Sequence, residues 1–206
     1  MAKKAKKVIK VKKNVKSNKK RLKKKSRKFI YKHEIKIDQL LLHHRQVFLS
    51  GTIDTESAHK ITTSLIGLDM YARGEPIVLW INSRGGSVYD GFAIIDCING
   101  LISPVMTIIN GEACSMGGII SIFGKERYMT KNAVWMAHDL TSGAYDYISK
   151  AKYRIQNGLK LQSKVMQMFR DKTKLTEDDL EQVRHGELWL DATECKKKGI
   201  VDHILT

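Results

Sequence analysis

"IVLWINSRGGSVYDGFAIIDCI", residues 77–98, decides how this chain folds. Its first five residues are apolar without alternation, the pattern of a strand buried on both faces. "SRGGSVYDG" then turns the chain, and "FAIIDCINGLI" continues as a helix. The same grammar follows at once. Pro104 leads into a second apolar run, "VMTIIN", then the small-residue loop "GEACSMGG" (111–118), then a helical "GGIISIFG". Strand, glycine loop and helix in repetition mean βαβ units and a mainly parallel sheet, so the class is α/β. Loops at the carboxyl ends of such strands are where ligands bind. Segments 83–87 and 111–118 are therefore expected to meet at one edge.

Outward from this centre, "RQVFLSG" (45–51) reads as a short strand. "TIDTESAHKITTSLIGLDMYARG" reads as an amphipathic helix ending at Gly74, with Ala58, Ile61, Leu65 and Leu68 on its apolar face. "RYMTKNAVWMAH" (127–138) gives two short strand pieces around a Lys-Asn turn. The longest helix is expected over 146–170, where Ile148, Ala151, Ile155, Leu159, Val165 and Phe169 fall at helical intervals. "LTEDDLEQVRHG" is a further helix, capped by Thr176 and ended by Gly186. In "DATECKKKG", Asp191 and Glu194 form a capping-box pattern before Gly199. "IVDHIL" closes the chain as a strand.

The net charge of +16 is local. Sixteen of the 37 Lys and Arg residues lie in 1–28, with no acid among them, and residues 29–206 balance at 21 basic and 21 acidic side chains. The chain thus divides into a lysine-rich tail, 1–28, and a neutral domain, 29–206. The tail cannot bury enough apolar surface to offset its ordering entropy and self-repulsion, so disorder is expected. It is a solubilising arm, a binder of nucleic acid or another polyanion through counterion release, or a leader peptide that is cleaved off. It lacks the apolar core of a secretory signal, and no apolar run is long enough to span a membrane. The three cysteines, Cys97, Cys114 and Cys195, include no CxxC spacing. They suit a reducing, cytoplasmic setting and suggest neither a disulfide framework nor a metal site.

The loop 111–118 has neither a GxxxxGK[ST] nor a GxGxxG pattern, which excludes the usual phosphate cradles. An acyl-transfer site is the remaining chemical reading. Ser115 sits at a strand-to-helix turn, the amide of Met116 opens the next helix, and the glycines of "SRGG" allow a second backbone donor to approach. A tight turn that simply needs small residues stays open, because this is not the GxSxG elbow. Seven histidines could serve as base: His33, His43, His44, His59, His138, His185 and His203. Spacing does not choose among them, although His138 ends the apolar strand "VWMAH".

Four segments, in order, carry a resemblance to the proteolytic subunit of the ATP-dependent Clp protease, the S14 serine peptidases. "WINSRGGSVYDGFAIIDCI" resembles YINSPGGS-x-x-x-G-x-x-I-Y-D-x-M. "GEACSMGG" resembles G-x-A-A-S-M-G-A, "VWMAHD" resembles V-M-I-H-Q, and "ELWLDATECKKKGIVDHIL" resembles D-x-F-x-S-A-E-E-A-x-E-Y-G-L-I-D-x-I-L. The resemblance implies the ClpP/crotonase fold, a spiral of βαβ units with a protruding long helix, stacked as homo-oligomeric rings around a chamber. It implies endopeptidase action on peptides or unfolded proteins, without a cofactor, through a Ser-His-acid triad, and an AAA+ unfoldase as partner. Ser115 matches the nucleophile and His138 the base. Gly86 and Met116 match the oxyanion-hole donors. Glu187 takes the place of the acid, two residues before Trp189, with Asp191 as the alternative.

The chain departs from the pattern in three places. A lysine-rich arm stands where the family has axial loops, Arg84 replaces the Pro of NSPGG, and "DLTSGAY" replaces QPLGG. Such divergence suits a phage-encoded member that trims capsid proteins. Two other classes stay open: a crotonase-type acyl-CoA enzyme, which would not need Ser115 and His138 together, and a non-catalytic scaffold tethered to nucleic acid by its tail.

Overall fold

Residues 77–86 form a single strand. The "SRGG" segment, expected to be a turn, continues the β-ladder, and the helix starts only at Val88. The structure, a computed structural model, describes residues 37–141 and 147–206. The expected tail 1–28, and most of the "DLTSGAY" segment, lie outside the described residues. Two units divide the chain, at 1–43 and 44–206. In the first, the described residues form helix α1 (Ile37–His43), which buries none of its residues.

The second unit contains β1 (Gln46–Ile53), α2 (Thr55–Tyr71), β2 (Ile77–Gly86), α3 (Val88–Gly100), β3 (Val105–Cys114), α4 (Met116–Ser121), β4 (Arg127–Thr130), β5 (Val134–His138), α5 (Ile148–Lys172), α6 (Glu177–His185), β6 (Glu187–Asp191), α7 (Ala192–Lys197) and β7 (His203–Leu205). The described strands form one sheet in the order β1-β2-β3-β4-β7, with β5 beside β3 and β6 beside β5. All pairings are parallel except β5–β6. The strand β6 is additional to the sequence reading. Its burial alternates strictly, but five residues give a short signal.

The three central strands are irregular at one level. The β1–β2 register shifts between Ser50 and Thr52, and the β2–β3 register between Ile81 and Ser83. Strand β3 pairs with β4 through Thr107–Ile109, and with β5 only beyond Gly111, through Glu112–Cys114. Gly51 and Gly111 both have positive φ, +81° and +100°, as bulges of this kind require. Polar side chains stitch the bend. Ser83 Oγ donates to Gly51 O at 2.5 Å, and Asn82 Oδ1 accepts from the Glu112 amide at 3.3 Å. Beyond the bend lies a smaller sheet segment made of the ends of β1, β2 and β3 together with β5 and β6.

The reading of β2 as buried on both faces needs correction. Ile77, Leu79 and Ile81 are fully buried, whereas Val78 and Trp80 are half-buried. Trp80 pairs with Phe48 across the ladder, their rings 6.0 Å apart, and donates its indole N–H to Gln46 Oε1 at 2.7 Å. Apolar residues without alternation here mark a sheet face on which an indole and a phenyl ring shield each other. The glycine expected to end the helix after β1 is also displaced: α2 stops at Tyr71, before Gly74.

Helix α5 has two different halves. Val165, Met166 and Phe169 are buried, and Phe169 meets the fully buried Trp135 edge-on at 5.9 Å. Ile148, Tyr153, Ile155 and Leu159 are more than half exposed. Its C-terminal end is tied down by Arg127 on β4. That guanidinium donates to Lys172 O at 2.7 Å, to Gly199 O at 2.9 Å, and to both carboxylate oxygens of Asp202 at 2.7 and 3.1 Å. Hydrogen bonding from Arg127 holds the Asp202 carboxyl below its ordinary 3.8. An acid depressed in the folded state contributes stability above its unfolded pKa and loses it as pH falls through the folded value. Asp202→Asn is therefore expected to lower stability at pH 7 by about 1 kcal/mol, a modest figure because the carboxylate is partly solvated. The difference from the parent should vanish near pH 2, as denaturant titrations at the two pH values will measure.

Candidate active site

The end of β3 carries Ser115 in a conformation that few side-chain-bearing residues adopt, φ 53° and ψ −123°. Such backbone costs of order 1–3 kcal/mol and persists only where its surroundings enforce it. Here two hydrogen bonds fix the turn: the Ser115 amide donates to Met136 O at 2.8 Å, and the Ile119 amide to Ser115 O at 3.1 Å. Helix α4 begins immediately afterwards, so the Met116 amide is a helix-start donor with no intrahelical acceptor. Ser115 does not cap that helix with its side chain, which leaves the hydroxyl for other work. The neighbouring Cys114 is not a competing nucleophile. It is 2% exposed, and burial, with Glu112 beside it, pushes its thiol up to about 11.

The second glycine segment lies against this turn. A Cβ on Gly85 would fall 2.7 Å from Ser115 Cβ and 2.9 Å from the Met116 nitrogen. The backbone at Gly85 thus touches the Ser115 turn because it carries no side chain, while Gly86 lies against Ile53 of β1. Gly85 and Gly86 have φ of +98° and +151°. Ser83 Oγ accepts from the Gly85 amide at 3.0 Å, and Arg84 Nε donates to Glu112 Oε1 at 3.0 Å, joining the two segments again. The buried Met116 side chain occupies the space that a Cβ on Gly91 of α3 would need.

His138 ends β5, the strand whose Met136 receives the Ser115 amide. The β3–β5 register sets Cys114 beside Met136, so Ser115 follows beside Ala137, one residue short of His138, and among the described residues no hydrogen bond joins its hydroxyl to the imidazole. Across the β5–β6 ladder His138 is the direct partner of Glu187. Directly opposed residues have Cβ atoms about 4.5–5.5 Å apart, within reach of an imidazole and a carboxylate. Asp191 pairs instead with Val134, four residues and about 13 Å further along the strand. Its carboxylate accepts from the Glu194 amide at 2.8 Å as the cap of α7, completing the capping box expected there. Glu187 is held as well, because Trp189 Nε1 donates to its Oε2 at 2.8 Å. Of the other described histidines, His59 is exposed on α2, His185 pairs with Glu181 on α6, and His203 stacks on Tyr128 at 4.9 Å.

Beside these groups lies a cavity of about 500 Å³ lined by Val88, Tyr89, Leu140, Tyr153, Asn157 and Leu161. Val88 stands two residues after Gly86, and Leu140 two after His138. The Asp139 carboxylate bridges the Leu140 amide, at 2.6 Å, and Gln162 Nε2, at 2.7 Å, fastening this wall to α5.

A hydroxyl, an imidazole and a carboxylate on adjoining strand ends, beside backbone amides, can support nucleophilic acyl transfer. Sequence reasoning missed Ser83, Trp189 and the Asp139–Gln162 bridge. Spacing of two along the strand, which puts residues 187 and 189 on one face, is the signal that could have found Trp189.

The family model described as "Clp protease" matches residues 26–206. The chain is 31% identical over 173 residues to "ATP-dependent Clp protease proteolytic subunit 1" of Chlamydia muridarum, covering 82% of this chain and 90% of that one. It is 33% identical over 169 residues to "ATP-dependent Clp protease proteolytic subunit" of Streptococcus mutans, covering 80% and 86%. For the protein of the same name from Lactococcus lactis subsp. cremoris, identity is 31% over 169 residues, covering 80% and 85%.

Proposed function

The chain belongs to the Clp protease family, and from that premise we propose that it is a serine endopeptidase working through Ser115, His138 and Glu187. The observation that carries the triad is the ladder itself. His138 faces Glu187 on β6, while Met136 O of the same strand accepts the amide of Ser115.

Ser115 Oγ attacks the carbonyl carbon of the scissile peptide as His138 accepts its proton. The amides of Gly86 and Met116 stabilise the oxyanion. His138 then delivers the proton to the departing amine, leaving an acyl ester on Ser115. Water, deprotonated by His138, attacks the ester and regenerates the serine. Glu187 keeps the imidazole in the tautomer that presents an acceptor to Ser115, and it stabilises the imidazolium. Asp191 does not serve as the acid, because its carboxylate is committed to a helix cap. The apolar wall of the 500 Å³ cavity favours an apolar substrate side chain.

The exposed apolar half of α5 supports assembly with further copies into homo-oligomeric rings that enclose a chamber. The relatives' names support an ATPase partner. The basic tail contributes attraction to nucleic acid or another polyanion, in keeping with a phage-encoded member. Among the described residues, no helix is long and apolar enough to cross a membrane. A crotonase-type role is disfavoured by the hydroxyl, imidazole and carboxylate together, a set that acyl-CoA chemistry would not need.

A peptidyl phosphonate diester tests this reading. Purified protein is expected to take up one phosphonyl group on Ser115, mapped by mass spectrometry, with parallel loss of fluorogenic-peptide cleavage. Labelling elsewhere with retained cleavage would overturn it.

A further inference from the structure

The acid of this site carries one methylene more than the aspartate of the resembled motif, and the next exposed position of its strand carries a tryptophan where that motif has phenylalanine. The two departures meet in one hydrogen bond. Trp189 Nε1 donates to Glu187 Oε2 at 2.8 Å. Both residues lie on the exposed face of β6, at positions 1 and 3 of the strand. Their ladder partners on β5 are His138 and Met136.

We propose that Trp189 is a positioning residue that clamps the Glu187 carboxylate for His138. A glutamate side chain has one more rotatable bond than an aspartate, so an unheld carboxylate at an exposed strand end samples several directions. The indole has a single N–H and no acceptor, so it engages one carboxylate oxygen and cannot compete for the imidazole proton. With Oε2 occupied, Oε1 is left as the acceptor for the His138 N–H. Among the described residues neither Oε1 nor the imidazole makes a hydrogen bond, to each other included, so the acceptor and the donor that the triad needs are both still available. Trp189 itself is 51% exposed, so the indole is not a core side chain whose loss would collapse the fold. Phenylalanine at this position would keep the ring but lose the donor.

This inference rests on Glu187 being the triad acid, and the experiment separates the two ideas. The variants are Trp189→Phe, Glu187→Ala and the double variant, each assayed on a fluorogenic peptide with kcat and KM determined separately. Trp189→Phe should lower kcat roughly 5- to 30-fold, less than the full worth of a hydrogen bond to a charged group because the pair is solvent-exposed, with KM and the melting temperature unchanged. In the Glu187→Ala background the same change should alter kcat less than about two-fold, since there is no carboxylate left to orient. The Trp189 indole proton resonance should also move in Glu187→Ala. Full activity of Trp189→Phe beside a severely impaired Glu187→Ala would overturn the clamp and leave the triad standing. An equal effect of Trp189→Phe in both backgrounds would overturn it too, because the indole would then act only through packing. Full activity of Glu187→Ala would remove the acid assignment, and the clamp with it.

Discussion

Ser115→Ala is expected to yield a folded protein whose peptide cleavage has fallen by at least about 10⁴-fold, with substrate binding intact. The hydroxyl supplies the bond-forming atom, and no neighbouring group can replace it, since the Cys114 thiol is buried and held protonated. His138→Ala should cost a similar factor. The double variant should be no worse than either single one, because nucleophile and base act as a unit. Multiplying losses would mean the two residues work independently, and the triad would have to be abandoned. Folding should survive: Ser115 contributes to the turn through its main-chain amide and carbonyl, which alanine retains. Melting curves and circular dichroism will check this.

Gly86→Ala is the second large effect. The added Cβ would lie 2.2 Å from Ile53 O and 2.9 Å from the Ile53 nitrogen, both rigid backbone atoms of β1. At φ +151° the conformation also disfavours any side chain. The strand must move, and with it the amide proposed to hold the oxyanion. Losing one such donor costs roughly 10²–10³ in kcat. The clash and strain should also lower stability by about 2–4 kcal/mol. Gly74→Ala is the control. It too has positive φ, so backbone strain should lower stability by about 1 kcal/mol, but open space surrounds its Cβ position and kcat is expected to be unaltered. Equal effects of the two substitutions on kcat would argue against a catalytic amide at Gly86.

What could be read in the sequence was whatever repeats locally. The helices at Thr55–Tyr71 and Ile148–Lys172 follow from apolar spacing, although the first two residues of "TIDTESAHK" belong to β1, and the capping box at Asp191 and Glu194 follows from two residues three apart. "SRGG" and "GEAC" misled, because glycines marking bulges within strands look the same as glycines marking turns. One-face burial of β2 was illegible, since Trp80 and Val78 are as apolar as their buried neighbours. The site was illegible from spacing for a related reason. Its hydroxyl, imidazole and carboxylate are 23 and 49 residues apart, and only the strand order makes them neighbours. Resemblance to a family motif supplied the residues. The indole donor at Trp189 lies where this chain leaves that motif, so resemblance could not supply it.

The aligned register shifts at Ser50/Thr52 and Ile81/Ser83, and the change of β3's partner at Gly111, act as a crease across the sheet. Everything assigned to chemistry lies on the far side of that fold line. The Asp139–Gln162 bond and the Trp135–Phe169 contact join that smaller segment to α5, so a shift at the crease would carry the residues proposed for chemistry and the cavity wall together.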